Sequence, residues 1–174
     1  MEENKLIDCL KPIKHKLPYW DELPEIELYM DQVIVLMEKY LSLHISNGDK
    51  IITPSMINNY VKLGIMPAPI KKRYSRIHIA YLIIICSLKQ VIPIPEIKRL
   101  IEMRVAKSSI ADTLNFFSDL YDSTFNTVVA IGKKFNSKNK TDEDAWEDTA
   151  LYMAIGSNAA RHVAETILKQ TKSK

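Results

Sequence analysis

Pro54, Pro67, Pro69, Pro93 and Pro95 cut the middle of this chain into short pieces, because a proline lacks a backbone donor and its ring clashes with the preceding turn of any helix running through it. Only brief helices and turns fit between them. Thr53 ahead of Pro54 supplies a cap with proline at the first helical position, and Gly64 offers a left-handed residue on which a helix can end. A short helix is therefore expected between them. Pro67 and Pro69 forbid another immediately. Ser75 can cap a strongly apolar helix running to about Gln90, and Pro93 and Pro95 open a further one, about Glu96 to Lys107.

Residues 1–20 mix Lys, Pro and apolar types without a helical period and are expected to form an N-terminal arm. From Glu25 to Leu43, Ile26, Met30, Val33, Ile34, Met37, Tyr40 and Leu41 recur at three- and four-residue steps, which predicts a helix with one buried face ending before the turn Asn47-Gly48-Asp49. Two longer helices, about Ser109 to Lys134 and Asp142 to Lys169, complete the chain across a polar loop at residues 136–140. Period-two strands are lacking, so any sheet should be a small ribbon around Met66 to Tyr74. No repeat of solenoid length occurs. The expected fold class is all-α, in three parts: arm 1–20, a middle domain 21–107, and a C-terminal helical hairpin or dimerisation region 108–174.

Hydrophobic content of 47% and charge of 26% suit a globular protein. The apolar run Ile77 to Leu88 already contains His78 and ends at Lys89, well short of the ~20 residues that cross a bilayer, so it is a core helix and no membrane association is expected. Cys9 and Cys86 are far apart and belong to no Cys/His cluster, which implies neither a zinc site nor a disulfide framework. The start Met1-Glu2-Glu3-Asn4-Lys5 lacks the pattern of a secretory signal. A cytoplasmic protein is expected.

Charge is unevenly spread. Between Ile51 and Arg104, nine bases stand against two acids, a local charge of +7 in a chain whose total is +3, which leaves −4 for the flanks. Such asymmetry is expected when one module meets a polyanion. Within that module, Ile57, Tyr60 and Val61 fall on one side of the short helix, while Ser55, Asn58, Asn59 and Lys62 fall on the other at i, i+3, i+4 and i+7. Those polar types suit a helix in a major groove: Asn can pair bidentately with adenine, Ser can reach a base edge or phosphate, and Lys can neutralise phosphate or reach guanine. A solvated helix face would look similar in isolation. This one is followed, beyond the two prolines, by Lys71-Lys72-Arg73-Tyr74-Ser75-Arg76, a basic loop whose Lys71, Lys72, Arg73 and Arg76 could lie along the phosphate backbone.

The succession Met56-Ile57-Asn58-Asn59-Tyr60-Val61-Lys62-Leu63-Gly64-Ile65, then Pro67, then Arg73-Tyr74-Ser75 and the helix Ile77 to Gln90, followed by Ile94-Pro95-Glu96-Ile97, resembles the DNA-binding domain of the MerR family. The resemblance implies a winged helix-turn-helix that binds double-stranded DNA, a transcriptional regulator acting without catalysis. Asn58 stands where that family usually has Arg, Asn59 replaces an aromatic, and the connection before the short helix is longer than usual, so base preference does not transfer. A second resemblance spans more of the chain: Trp20-Asp21-Glu22-Leu23-Pro24 through Tyr29-Met30-Asp31-Gln32-Val33, with Thr53 to Tyr60 and Tyr81 to Ile85, is similar to domain-of-unknown-function family 1836. It implies a fold and brings no activity. A protein-interaction module that keeps the winged fold without DNA contact is the alternative.

Other constellations carry less. His15, His44, His78 and His162 lie on four different elements without metal-pair spacing, so no metal or cofactor is expected. The acids Asp142, Glu143, Asp144, Glu147 and Asp148 open a helix, where its dipole favours them, and Thr141 with Asp144 resembles a capping box. No nucleophile elbow, Walker or dinucleotide fingerprint occurs. Ile110, Leu114, Phe117, Tyr121, Thr124, Val128 and Ile131 follow alternating steps of four and three, the spacing of a coiled-coil seam. Trp146, Thr149, Met153, Gly156, Ala160, Val163 and Ile167 form a compatible stripe, with Gly156 and Ala160 permitting close approach. A homodimer is expected, because two-fold symmetry lets paired helices read paired half-sites; an intramolecular hairpin is the plainer alternative. Aromatics at helical spacing are first of all core residues, so a small-molecule effector near Phe116, Phe117, Trp146 and Tyr152 is carried only as an alternative.

Overall fold

The computed structural model describes residues 16–42, 50–136 and 142–171, with side chains up to Lys134 and again from Trp146. Six α-helices lie within them: α1 (Met30–Tyr40), α2 (Pro54–Lys62), α3 (Arg76–Leu88), α4 (Ile94–Val105), α5 (Ile110–Asn136) and α6 (Asp142–Gln170), preceded by a 3-10 turn at Trp20–Glu22. Among the described residues β pairing is limited to two isolated antiparallel bridges, Ile70 with Arg73 and Leu28 with Tyr74. The protein is all-α. Cys9, His15, His44, the turn at residues 47–49, the loop at 137–140 and the side chains of 141–144 lie outside the described residues.

The local punctuation acts as the residue types require. Thr53 Oγ1 accepts the Met56 N–H at 3.2 Å, with Pro54 next to it as the first helical residue. Beyond α2 the chain reverses at Gly64, whose φ of +64° strains any residue with a Cβ. At the start of α3, the Ser75 N–H donates to His78 Nδ1 at 2.9 Å. That bond leaves the ring proton on Nε2, which faces the Ala68 carbonyl at 3.3 Å. His78 is thus a buried clasp between α3 and the loop before it.

α1 begins five residues later than the apolar period predicts. Leu28 gives its N–H to the Tyr74 carbonyl at 2.9 Å and takes the Tyr74 N–H at 2.8 Å, so its backbone is already committed to a partner far along the chain. Tyr29 stays extended, and Gln32 Oε1 accepts its N–H at 2.9 Å. Ile26, expected on the buried stripe, is exposed, whereas Val33, Met37 and Leu41 are buried.

α3 is the central element. Ile79, Ala80 and every residue from Leu82 to Ser87 are buried, as expected of a helix surrounded by partners on several sides. α1 and α4 pack against it. Ile57 and Tyr60 of α2, Ile97 and Ile101 of α4 and Leu114 of α5 complete the same core.

The described residues divide into two compact units, one running from Leu17 to Leu120 and the other holding Lys16 and the described residues from Tyr121 onward. The first unit is larger than the expected 21–107. It includes residues 17–20, because Ser118 Oγ donates to the Pro18 carbonyl at 2.9 Å and the Trp20 N–H donates to Asn115 Oδ1 at 2.8 Å. Those bonds also draw the first three turns of α5 into the unit. In the second unit, Thr149 and Leu168 are buried and Met153 is half-buried along α6, while Leu151 and Ile155 are each 61% exposed. The stripe read from the sequence therefore divides: Thr149 and Met153 face inward, but Trp146, Gly156, Ala160, Val163 and Ile167 are exposed. A Cβ added to Gly156 would meet nothing within 4 Å, so no close approach uses it among the described residues.

Candidate nucleic-acid interface

α2 presents the two faces expected of it. Ile57 and Tyr60 are buried, and burial pushes the Tyr60 phenol up to about 12. Ser55, Asn58, Asn59 and Lys62 are all exposed on the other side. Both ends of the helix are held by lysines from elsewhere. Lys89 Nζ, at the end of α3, donates to the Ile51 carbonyl just before the cap, and Lys98 Nζ, on α4, donates to the Leu63 carbonyl at 3.0 Å just after the last turn. A cation at a helix C-terminus satisfies an orphan carbonyl and favours the dipole.

The loop after α2 ends in a tight two-residue turn. The Arg73 N–H donates to the Ile70 carbonyl at 2.9 Å, and the residues between them, Lys71 and Lys72, have φ of 49° and 62°. Two successive positive φ values at a two-residue β-turn are the type I′ pattern, normally filled by Asn-Gly. Two lysines there are strained, at roughly 1–2 kcal/mol each. Both are exposed, with no hydrogen bond or ion pair among the described residues. The fold therefore holds two exposed lysines in succession at a two-residue turn that is closed by the Ile70–Arg73 bridge and followed at once by the Leu28–Tyr74 bridge.

The two arginines of the basic loop behave differently. Arg73 lies over the Tyr29 ring, its Cζ 4.5 Å from the centroid, and donates from Nη2 to the Tyr29 hydroxyl at 2.8 Å. It is exposed, and a guanidinium carries five N–H donors, so it can still grip a phosphate oxygen. Arg76 is turned inward. Its Nε reaches the Leu23 and Pro24 carbonyls at 3.1 and 3.3 Å, its Nη2 pairs with Glu25 Oε1 at 3.1 Å, and its Cζ lies 5.9 Å from the Trp20 ring centroid. Arg76 is a clasp between α3 and the segment before α1, so Lys71, Lys72 and Arg73 remain as the exposed cations of the loop.

The other bases of this segment are also engaged in the fold. Arg99 pairs with Glu96 at 3.5 Å, and the Arg104 guanidinium lies 3.9 Å above the Phe116 ring centroid. Sequence reasoning missed the roles of Tyr29, Lys89 and Lys98. Their partners are distant in the chain, and no local spacing signals them. What remains exposed is a polar helix face and a cationic turn joined by eight residues of chain, 63–70, an arrangement able to meet base edges and phosphates.

Among the described residues, no group of three or more His, Cys, Asp or Glu is placed to hold a metal ion, and no helix is long and apolar enough to cross a membrane. No curated protein and no solved structure matches the chain. A family model matches residues 18–124, more than half of the chain and close to the limits of the compact unit Leu17–Leu120. The chain belongs to the family described as Domain of unknown function (DUF1836).

Proposed function

We propose that this protein is a non-enzymatic, cytoplasmic double-stranded DNA-binding protein and a transcriptional regulator, using a MerR-like winged helix-turn-helix. α2 enters the major groove with Ser55, Asn58, Asn59 and Lys62, while Lys71, Lys72 and Arg73 contact phosphates. The observation that carries this reading is the strained, exposed lysine pair at the turn. Strain kept in an exposed loop points to use of the side chains it displays. The polar face of α2 supplies what the turn lacks, groups that distinguish bases.

Electrophoretic retardation of genomic fragments across a salt series tests the proposal. Four phosphate contacts, counting Arg76, would make log affinity fall against log salt with a slope of about −3.6; with Arg76 held inside the fold, three contacts give about −2.7. A protein without affinity at low salt, or a triple alanine variant of Lys71, Lys72 and Arg73 that binds as well as the parent, overturns it and leaves the protein-interaction module in its place.

The reading includes a homodimer, since paired half-sites need two recognition helices. The expected seam on α5 is divided by the fold. Leu114 is fully buried inside the first unit and Phe117 and Tyr121 are half-buried, whereas Thr124, Val128 and Ile131 are exposed. Among the described residues, the distal half of α5 and the exposed row Leu151, Ile155, Val163 on α6 offer a surface for a second copy.

A further inference from the structure

We propose that the outward face of α1 is a self-complementary contact for a second copy of this chain, the two helices lying antiparallel about a two-fold axis at Val35. A groove of about 440 Å³ runs along that face within the first compact unit, its walls including Ile26, Leu28, Asp31, Val35, Leu36 and Lys39. Ile26 and Val35 are 72% and 66% exposed, two of the three most exposed large apolar side chains of that unit among the described residues. Apolar side chains gathered in one exposed groove mark a surface that gains from being covered.

The order of charges decides what covers it. Val35 is the middle residue of the eleven in α1, with Asp31 four positions before it and Lys39 four after. Helical geometry sets Asp31 and Lys39 about 6 Å to either side of Val35 along the axis and about 40° to either side around it. They are thus about 12 Å apart along the helix, too far to pair with each other, and neither makes an ion pair or hydrogen bond among the described residues. A half-turn about an axis through Val35 and normal to the helix exchanges those two places. It sets Lys39 of the second copy opposite Asp31, and Asp31 of the second copy opposite Lys39, with the two Val35 side chains between them. The same half-turn brings Glu38 of the second copy opposite Gln32, whose Oε1 is taken by the Tyr29 N–H at 2.9 Å and whose amide N–H groups are left to donate. Antiparallel helices also oppose their dipoles. A foreign partner requires no such symmetry of acid, apolar residue and base, whereas an isologous contact does. Confined to one short helix and its flank, the contact falls below the ~1,200 Å² of stable complexes, so it should form near ~100 µM and link chains or dimers that are already crowded together.

The test uses the full chain without DNA and with Ile155→Asp throughout, so its result is independent of the DNA-binding reading and of the α6 row. Sedimentation equilibrium between about 10 µM and about 1 mM should show this reference chain associating. Asp31→Lys and Lys39→Asp, added singly, each place like charges opposite one another and should each weaken association at least about tenfold. An equimolar mixture of the two single variants should associate about as strongly as the reference, because every lysine then faces an aspartate. Val35→Asp should abolish association in the reference chain. If Asp31 and Lys39 served only the dipole of their own helix, mixing two weakened chains would restore nothing, so the mixture separates a contact from a loss of fold. A reference chain that stays monomeric throughout the range, single variants that associate as it does, or a mixture no stronger than its components overturns the proposal.

Discussion

Lys98 Nζ lies 3.0 Å from the carbonyl oxygen of Leu63, 35 positions earlier in the chain, and thereby fastens α4 to the end of α2. The same Nζ is 3.5 Å from where a Cβ on Gly64 would stand, so the contact sits directly over the left-handed residue that ends the helix. Lys98→Met keeps the aliphatic stem and removes the donor. The expected loss is about 1 kcal/mol, the usual scale for one hydrogen bond at a partly exposed site, read from urea denaturation midpoints. Because α2 would fray at its C-terminal end, DNA affinity should fall further than this stability loss implies. Unchanged stability would mean that the bond adds nothing beyond what water supplies.

The lysine turn predicts opposite changes in stability and binding. Lys71→Asn with Lys72→Gly places the preferred type I′ residues where φ is 49° and 62°, so the double variant should be more stable by about 1 kcal/mol or more. It should also bind DNA more weakly, with a salt slope shallower by about 1.8 for the two lost phosphate contacts. Thermal melts and a retardation series on one preparation measure both. A variant that is more stable and binds equally well would remove the lysines from the interface.

Asn58 and Asn59 should affect selectivity instead. Replacing either with alanine removes a side chain able to pair bidentately with adenine, worth about 1–3 kcal/mol of discrimination for a well-formed contact. Selection from a randomised DNA pool should then give a degenerate base where the parent specifies one, with little change in salt slope. An unchanged consensus for both variants would mean that α2 does not read bases.

Alkaline pH should destabilise the fold through its buried weak acids. Burial pushes the Cys86 thiol from 9.0 up to about 12, with Lys89 opposing the change, and the Tyr60 phenol from 10.0 to about 12, with Cys86 beside it adding to the effect. Below pH 9 these groups are protonated in both states. Above it the unfolded chain releases protons that the folded one keeps, so stability falls steadily up to about pH 12, at ~1.4 kcal/mol for each unit of difference per group. Cys86→Ala should flatten that decline between about pH 9 and pH 12, whatever it does to stability at neutral pH. Native Cys86 should also resist alkylation, because the thiolate is the reactive form.

Association should depend on the outward row of α6. Light scattering at micromolar concentration is expected to give a dimer, and Ile155→Asp, on a residue 61% exposed, should yield a folded monomer. Phe117→Asp is the less informative substitution, since Phe117 borders a cavity of the first unit and its loss would disturb that packing. A mass that stays monomeric in the parent, with and without DNA, excludes the dimer.

The helices, their caps and the two faces of α2 were readable along the chain, because each depends on neighbours within about one turn: proline and glycine restrict their own backbone, Thr53 caps three residues ahead, and apolar residues recur with the helical period. The fate of the charges was not. Nine bases between Ile51 and Arg104 make that segment strongly positive, yet Arg76, Lys89 and Lys98 are bound to carbonyls 53, 38 and 35 positions away, Arg99 pairs with Glu96 and Arg104 lies on Phe116. A lysine spent on a distant carbonyl and a lysine free for a phosphate are identical in composition and spacing, and only the folded chain distinguishes them. The same holds for the start of α1, where a bridge from Leu28 to Tyr74 competes with a helical pattern that would otherwise continue to Glu25. It holds again for Leu114, whose seam position is equally suited to a second copy and to the core that buries it. Periodicity shows that a face must be covered; packing between distant segments determines what covers it.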